Sequence, residues 1–343
     1  MSKSNPASCF PCHVPSSPQR VAATEEDTLA AREPSIQTTT QIDRDRVSNG
    51  GDRVSNDRDR ISNGGDRVSN GGDRISIRAI GPFLLMTFGL AWGVLALFIF
   101  LPDQMARLVG ELSGRHPLFY LAVYAPAIAA FAIVARRGGV SGLRRYLSRA
   151  LLWRCPPAWY GFLIVGIPLL FIGGSAWKGN LLADPFPFSS LQSLVVAMVL
   201  AAMLGPMEEF GWRGLALPLL QRKMMPISAA LVLGVIWGVW HLPAFVLNGT
   251  QQSEWSFSAF FIGCIALSII VTALFNASRG SILLAALFHF LVMNPMLPDA
   301  QPYDTYLFSA VAIGVVLIDR KRMFSRAGAE TGVIPRQGGG HLQ

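Results

Sequence analysis

Charge is what this sequence has least of. Only 15% of its 343 residues are Asp, Glu, Lys or Arg, whereas 51% are hydrophobic. Soluble domains carry about 25% charged residues, so one or two ordinary soluble domains are excluded as a frame. Cysteine is scarce too: Cys9, Cys12, Cys155 and Cys264 are scattered and form no disulfide framework. No His-Glu-x-x-His string occurs, which removes the helical zinc-protease motif. Residues 1–76 hold no apolar leader stretch, so no signal peptide is expected there. The formal net charge is +8, yet no nucleic-acid partner is expected. The Lys and Arg residues punctuate long apolar runs, where such residues set membrane orientation.

Residues 1–76 are also poor in large apolar side chains. From Asp45 a unit Asp-Arg-Val/Ile-Ser-Asn-Gly-Gly recurs with a period near seven, ending at Asp73-Arg74-Ile75-Ser76. A coiled coil is rejected, because each unit has one apolar residue and most contain Gly-Gly. Such a chain buries too little surface to offset its ordering entropy. A disordered low-complexity tail is expected instead. Within it, Cys9-Phe10-Pro11-Cys12-His13 fits the c-type haem attachment string. No folded pocket is expected around it, so no haem is assigned.

What is present in abundance is apolar sequence of membrane-spanning length. A spanning helix needs about 20 mostly apolar residues. Eight segments qualify, near 79–102, 117–135, 158–176, 191–214, 226–248, 257–277, 281–298 and 304–319, the last two being short. Alternate loops are basic: Arg74 and Arg78, then Arg136 to Arg154, then Arg213, Arg222 and Lys223, then Arg279, then Arg320 to Arg326. The opposite loops are nearly free of uncompensated basic residues. Positive-inside bias therefore puts both termini in the cytosol, in agreement with an even span count. The expected fold is all-α: a polytopic transmembrane bundle over 77–320, a tail over 1–76 and a cytosolic C-terminal tail over 321–343. The expected location is the cell membrane, and membrane lipid is an expected partner. Asn248-Gly249-Thr250 and Asn276-Ala277-Ser278 are sequons that this reading does not use.

Ionisable residues inside apolar spans are expensive and mark function by default. The fourth span carries Glu208 and Glu209, followed by Arg213; the fifth carries His241; the seventh carries His289. Glu209 and Arg213 are four apart and share a helix face, so they can pair. Glu208 lies about 100° around the helix and is free for another partner. Each feature has a plain alternative: a buried ion pair that locks helices, or a His that bridges helices by a hydrogen bond. Together they offer two sets of chemistry. One is a two-His, one-carboxylate set of Glu208, His241 and His289 for Zn²⁺ or another divalent metal. The other is a carboxylate base with polarising partners. Either can deprotonate a water for attack on an amide carbonyl. At about 1.5 Å per residue, Glu208 and His289 lie roughly 10 and 12 Å from the cytosolic ends of their spans. His241 comes out near 22 Å from Pro226, deeper than its partners.

These strings resemble the CPBP intramembrane protease family, the CAAX protease and bacteriocin-processing (Abi) group. The resemblance covers about 190–300. Glu208-Glu209 with Arg213 matches its EExxxR motif, Trp237 and His241 its aromatic-xxx-His motif, and His289 the start of its His-xxx-Asn motif. Asn294 stands five positions after His289 rather than four, with Met293 in the expected place. The resemblance implies a helical membrane fold with a cavity open to cytosol and bilayer. It also implies endopeptidase activity on a peptide or a membrane-anchored, prenylated protein. By carry-over, Glu208 would activate water, supported by Glu209 and Arg213. His241 and His289 would position the water, bind a metal or polarise the carbonyl, and Asn294 would help hold the oxyanion.

Three other readings are weighed. Gly139-Val140-Ser141-Gly142 fits a serine-protease string, but Ser141 sits in an Arg-rich cytosolic loop. A transporter would use the same ionisable residues, yet no internal repeat runs across the spans. A non-catalytic scaffold or bacteriocin-immunity-type protein on the same fold is the main alternative.

Overall fold

A computed structural model describes residues 75–183 and 188–335. The tail repeats, the Cys9–His13 string and the last eight residues of the chain lie outside the described residues. Contacts divide the chain into Met1–Asp66 and Arg67–Gln343, and only the second unit is described below.

All eight apolar segments are helical, and no strand occurs among the described residues. We label them α1 (Ile77–Phe100), α2 (Pro117–Val123 with Ala125–Leu151, bent by 56°), α3 (Pro157–Lys178), α4 (Leu191–Gln221), α5 (Pro226–Val246), α6 (Phe257–Ala277), α7 (Ile282–Val292) and α8 (Tyr303–Ile318). Five of them, α1 and α3 to α6, are long and apolar enough to cross a membrane, and the bent α2 makes six. With α7 and α8 as shorter apolar helices, this is a multi-pass membrane protein.

Three helices break or stop at a proline or a turn. The seventh segment was expected to run to 298, but α7 stops at Val292 because Asn294 turns at φ +51° and Pro295 and Pro298 follow. In α5 the α-helix ends at Trp240 and continues as a 3-10 turn over Leu242–Val246, which carries Pro243. Helix α4 breaks at Leu204 (φ −88°, ψ −86°), just before Gly205-Pro206. Before that break only Ala201 is buried, and Leu191, Val195, Val196, Val199 and Met203 are exposed, as suits lipid contact. After it, every residue from Gly211 to Gln221 is buried.

Two apolar cores flank the middle of the bundle. One is built mainly from α1, α2, the buried half of α4 and α5; the other from α3, α6, α7 and α8. Glycines let α2 approach α4 closely: a Cβ at Gly211 would collide with Pro126, and one at Gly214 with Tyr146. From Trp212 to Ala216, α4 opens into one π-turn. Such a turn disturbs the backbone ladder, and α2 supplies side chains to the carbonyls around it. The Tyr146 hydroxyl donates to Phe210 O, and Arg149 Nη1 donates to Gly214 O at 2.8 Å.

Arg149 also ties in the chain's end. Its Nε donates to Gly280 O at 3.0 Å and its Nη1 to Val333 O at 3.2 Å. Residues 330–335, within the expected C-terminal tail, cross the basic ends of α2, α4 and α6. Gln221 donates to Glu330 O, Arg222 to Thr331 O and Arg145 to Pro335 O, while Val333 and Ile334 are buried. Arg222 also donates to the carbonyl of Ile75, which is buried although the tail was expected to reach 76.

Replacing Arg149 by Met removes the charged donor from three buried carbonyls. It is expected to destabilise the fold by about 3 kcal/mol or more, read as a lower unfolding midpoint in detergent.

Candidate active site

The break at Leu204 and the π-turn after Gly211 bracket a seven-residue helical piece, Gly205–Gly211. Its centre is Glu208-Glu209, and both side chains are almost fully buried. Their surroundings differ. Glu209 Oε1 accepts from Arg213 Nη1 at 2.9 Å and from His289 Nδ1 at 2.7 Å. The Glu209–Arg213 pair is thus formed as the four-residue spacing implied, with each side chain 1% exposed. His289 adds a second donor from α7. Glu208 makes no ion pair among the described residues. Its Oε2 accepts from two indoles, Trp237 Nε1 at 2.8 Å and Trp212 Nε1 at 3.3 Å.

Trp237 is the hub. The Arg213 guanidinium lies over its ring at 4.7 Å, a cation–π contact. It makes T-shaped contacts with His289 at 5.3 Å and His241 at 5.6 Å between ring centroids. His241 Nδ1 lies 2.8 Å from Trp237 O, and since a carbonyl only accepts, this nitrogen carries the proton. In the neutral ring Nε2 is then the acceptor. His241 is also the residue that ends the α-helical part of α5, packed against Trp240 and Phe260. The depth mismatch seen in the sequence narrows accordingly: α5 reaches Glu208 through Trp237, one turn nearer Pro226 than His241.

His289 approaches the break in α4 because Gly205 has no side chain. A Cβ there would stand 2.7 Å from His289 Nε2 and 2.5 Å from Met293 Sδ. Four further polar atoms near the carboxylates are buried without a hydrogen-bond partner among the described residues: Glu209 Oε2, Arg213 Nε, Arg213 Nη2 and Trp240 Nε1.

The structure therefore gathers Glu208, Glu209, Arg213, His241 and His289 around Trp237, with direct Glu209–His289 contact. It does not join His241 to either carboxylate by a hydrogen bond. Asn294 is held elsewhere. Its Nδ2 donates to Leu297 O and Pro298 O at 3.0 and 3.2 Å, and its Oδ1 accepts from Leu297 N at 3.1 Å. Those bonds make it the lock of the turn that ends α7, and none reaches the carboxylates. As for a metal, no three His, Cys, Asp or Glu side chains among the described residues lie so as to hold an ion. Glu208, His241 and His289 are neighbours through Trp237, and no chemical step is routed through a metal below.

Trp212 and Trp237 were legible as letters but not as participants. Trp237 stood as the aromatic of a motif, and Trp212 was given no part. The available signal was position: Trp212 follows Glu208 by four residues, which is one helical turn.

Residues 190–293 match the family described as "Type II CAAX prenyl endopeptidase Rce1-like". That stretch holds every residue gathered around Trp237 and stops one residue short of Asn294. These residues are similar to CAAX-type prenyl endopeptidases. A similar curated protein is "CAAX prenyl protease 2" of Methanococcus maripaludis, 32% identical over 152 residues. The match covers 41% of this chain and 56% of that protein's length.

Removing one carboxylate should not equal removing the other. Glu209→Ala leaves the Arg213 charge buried and unpaired and is expected to destabilise by about 3–5 kcal/mol. Glu208→Ala frees only two neutral indole donors and should destabilise by about 1–3 kcal/mol. Unfolding of both variants in detergent checks the order, and equal losses would contradict the division of labour.

Proposed function

We propose that this protein is an intramembrane endopeptidase of the CAAX-protease type. In this reading Glu208 is the base that activates water. The observation that carries it is the unlike treatment of two adjacent carboxylates. Glu209 is committed to Arg213 and His289. Glu208 has no cationic partner among the described residues, so its lone pairs stay available to a water proton.

The chemistry is peptide-bond hydrolysis. Glu208 takes one proton from water as the water oxygen bonds to the scissile carbonyl carbon. The carbon–nitrogen bond then breaks, and the proton passes from Glu208 to the leaving amine, giving a carboxylate and an amine product. His289, oriented by Glu209, and His241, oriented by Trp237 O, would each offer Nε2 as an acceptor to the water, or as a donor that polarises the carbonyl when the ring is protonated. Burial among apolar helices keeps these interactions strong.

A membrane-anchored substrate fits a site on membrane helices. The matched family and relative make a peptide with a prenylated C-terminal motif the first substrate class to try. On the loop-charge reading both termini would lie in the cytosol, which would present the site to cytosolic tails of such substrates. A scaffold on the same fold would keep the network and cleave nothing.

Purified wild-type protein and Glu208→Gln, reconstituted with a library of membrane-anchored peptides, separate these readings. Glu208→Gln is expected to lower cleavage by about a thousandfold or more, as loss of a general base does, while unfolding at a similar midpoint. Equal digestion by both proteins removes the enzyme reading. In the same assay, chelation followed by zinc add-back is expected to leave the rate unchanged, given the donor geometry. A rate that falls on chelation and returns with zinc would restore the metal set of Glu208, His241 and His289.

A further inference from the structure

We propose that the indole N–H groups of Trp212 and Trp237 are positioning donors that pin one oxygen of Glu208 and leave the other as the base. This rests on the reading of Glu208 as the water-activating carboxylate. Both donors converge on Oε2, at 3.3 and 2.8 Å. Oε1 accepts no hydrogen bond from any described residue. The two donors come from different helices, α4 and α5, so neither can shift without leaving the other. A Glu side chain's last torsion is broad and nearly two-fold. Two donors on one oxygen remove that freedom.

The indoles themselves are held. Trp212 is fully buried, edge-on to Phe83 at 5.4 Å and to Trp240 at 5.8 Å. Trp237 is clamped between the Arg213 guanidinium and the two imidazoles. Aromatic residues with two rotatable bonds give up little freedom when fixed this way.

The donor type matters as much as the geometry. An indole N–H only donates and does not titrate near neutral pH. It therefore orients a carboxylate without supplying a counter-charge and without competing for the proton that the base must take. Arg213 and His289 do the opposite for Glu209. A site of this kind keeps one acid as a fixed anchor and its neighbour as an aimed acceptor. Pinning Oε2 turns Oε1 toward the reacting water, a gain in orientation rather than in substrate binding.

The test uses the full chain in the reconstituted cleavage assay. Trp237→Phe keeps a ring under Arg213 and beside the imidazoles while deleting the donor; Trp212→Phe does the same on α4. Each variant is expected to lower kcat, Trp237→Phe by about tenfold to a hundredfold, as for loss of a hydrogen bond to a charged group. Trp212→Phe, whose bond is longer, should lose less. KM should stay within about twofold in both, because the loss is of orientation at the reacting atoms. Indole-nitrogen-labelled protein supplies a second readout, since the chain has eight tryptophans. The two resonances missing from the two Phe variants should both move in Glu208→Ala, while Glu209→Gln should move them less.

Wild-type kcat in both Phe variants, with Glu208→Gln inactive, overturns the inference and leaves the function standing. A fall in activity that tracks only a lowered unfolding midpoint in both variants also overturns it, assigning the indoles to packing. Full cleavage by Glu208→Gln overturns the reading of Glu208 and the inference with it.

Discussion

One buried carboxylate organises this protein's centre. Glu209 draws Arg213 from its own helix and His289 from α7 onto a single oxygen. A charge in an apolar interior persists only when it is paired and hydrogen-bonded. Once that pair forms, Arg213 is fixed, Trp237 is fixed against the guanidinium, and through Trp237 the positions of Glu208 and His241 follow. Three helices that lipid alone would leave loosely associated are thereby held in one register.

The backbone is shaped to permit this. A break before Gly205 and a π-turn after Gly211 isolate one short piece of α4 from the regular helix on either side. Carbonyls around the π-turn are met by Tyr146 and Arg149 of α2, and Arg149 ties that clamp to the chain's end at Val333. This piece thus hangs between two apolar cores and is braced from the side where the basic loops lie.

Much of this could be read beforehand, for definite reasons. Helix α6 is apolar throughout Phe257–Ala277, and its bounds coincide with the segment expected from hydrophobic length alone. Glu209 and Arg213 announced their pairing by four-residue spacing, a local rule of the helix. Helix α7 was read too long because a run of apolar residues masks the turn that Asn294 makes at Pro295 and Pro298. Asn294 was given a chemical role by motif order, but its amide is engaged in that turn. The end of the chain looked like a tail because Gly and polar residues surround its few apolar ones. Val333 and Ile334 are buried, and α2 offers Gly138 and Gly142 beneath Ile334.

The sequence by itself determined the membrane class, the all-helical frame, the family resemblance and the set of ionisable residues inside the apolar spans. Each of these rests on composition, local periodicity or short motifs, and the chain carries those without folding. Only tertiary structure decided which carboxylate is anchored and which is left open. That choice depends on donors brought in from α5 and α7, tens of residues away along the chain. No periodicity along α4 encodes what stands across from it.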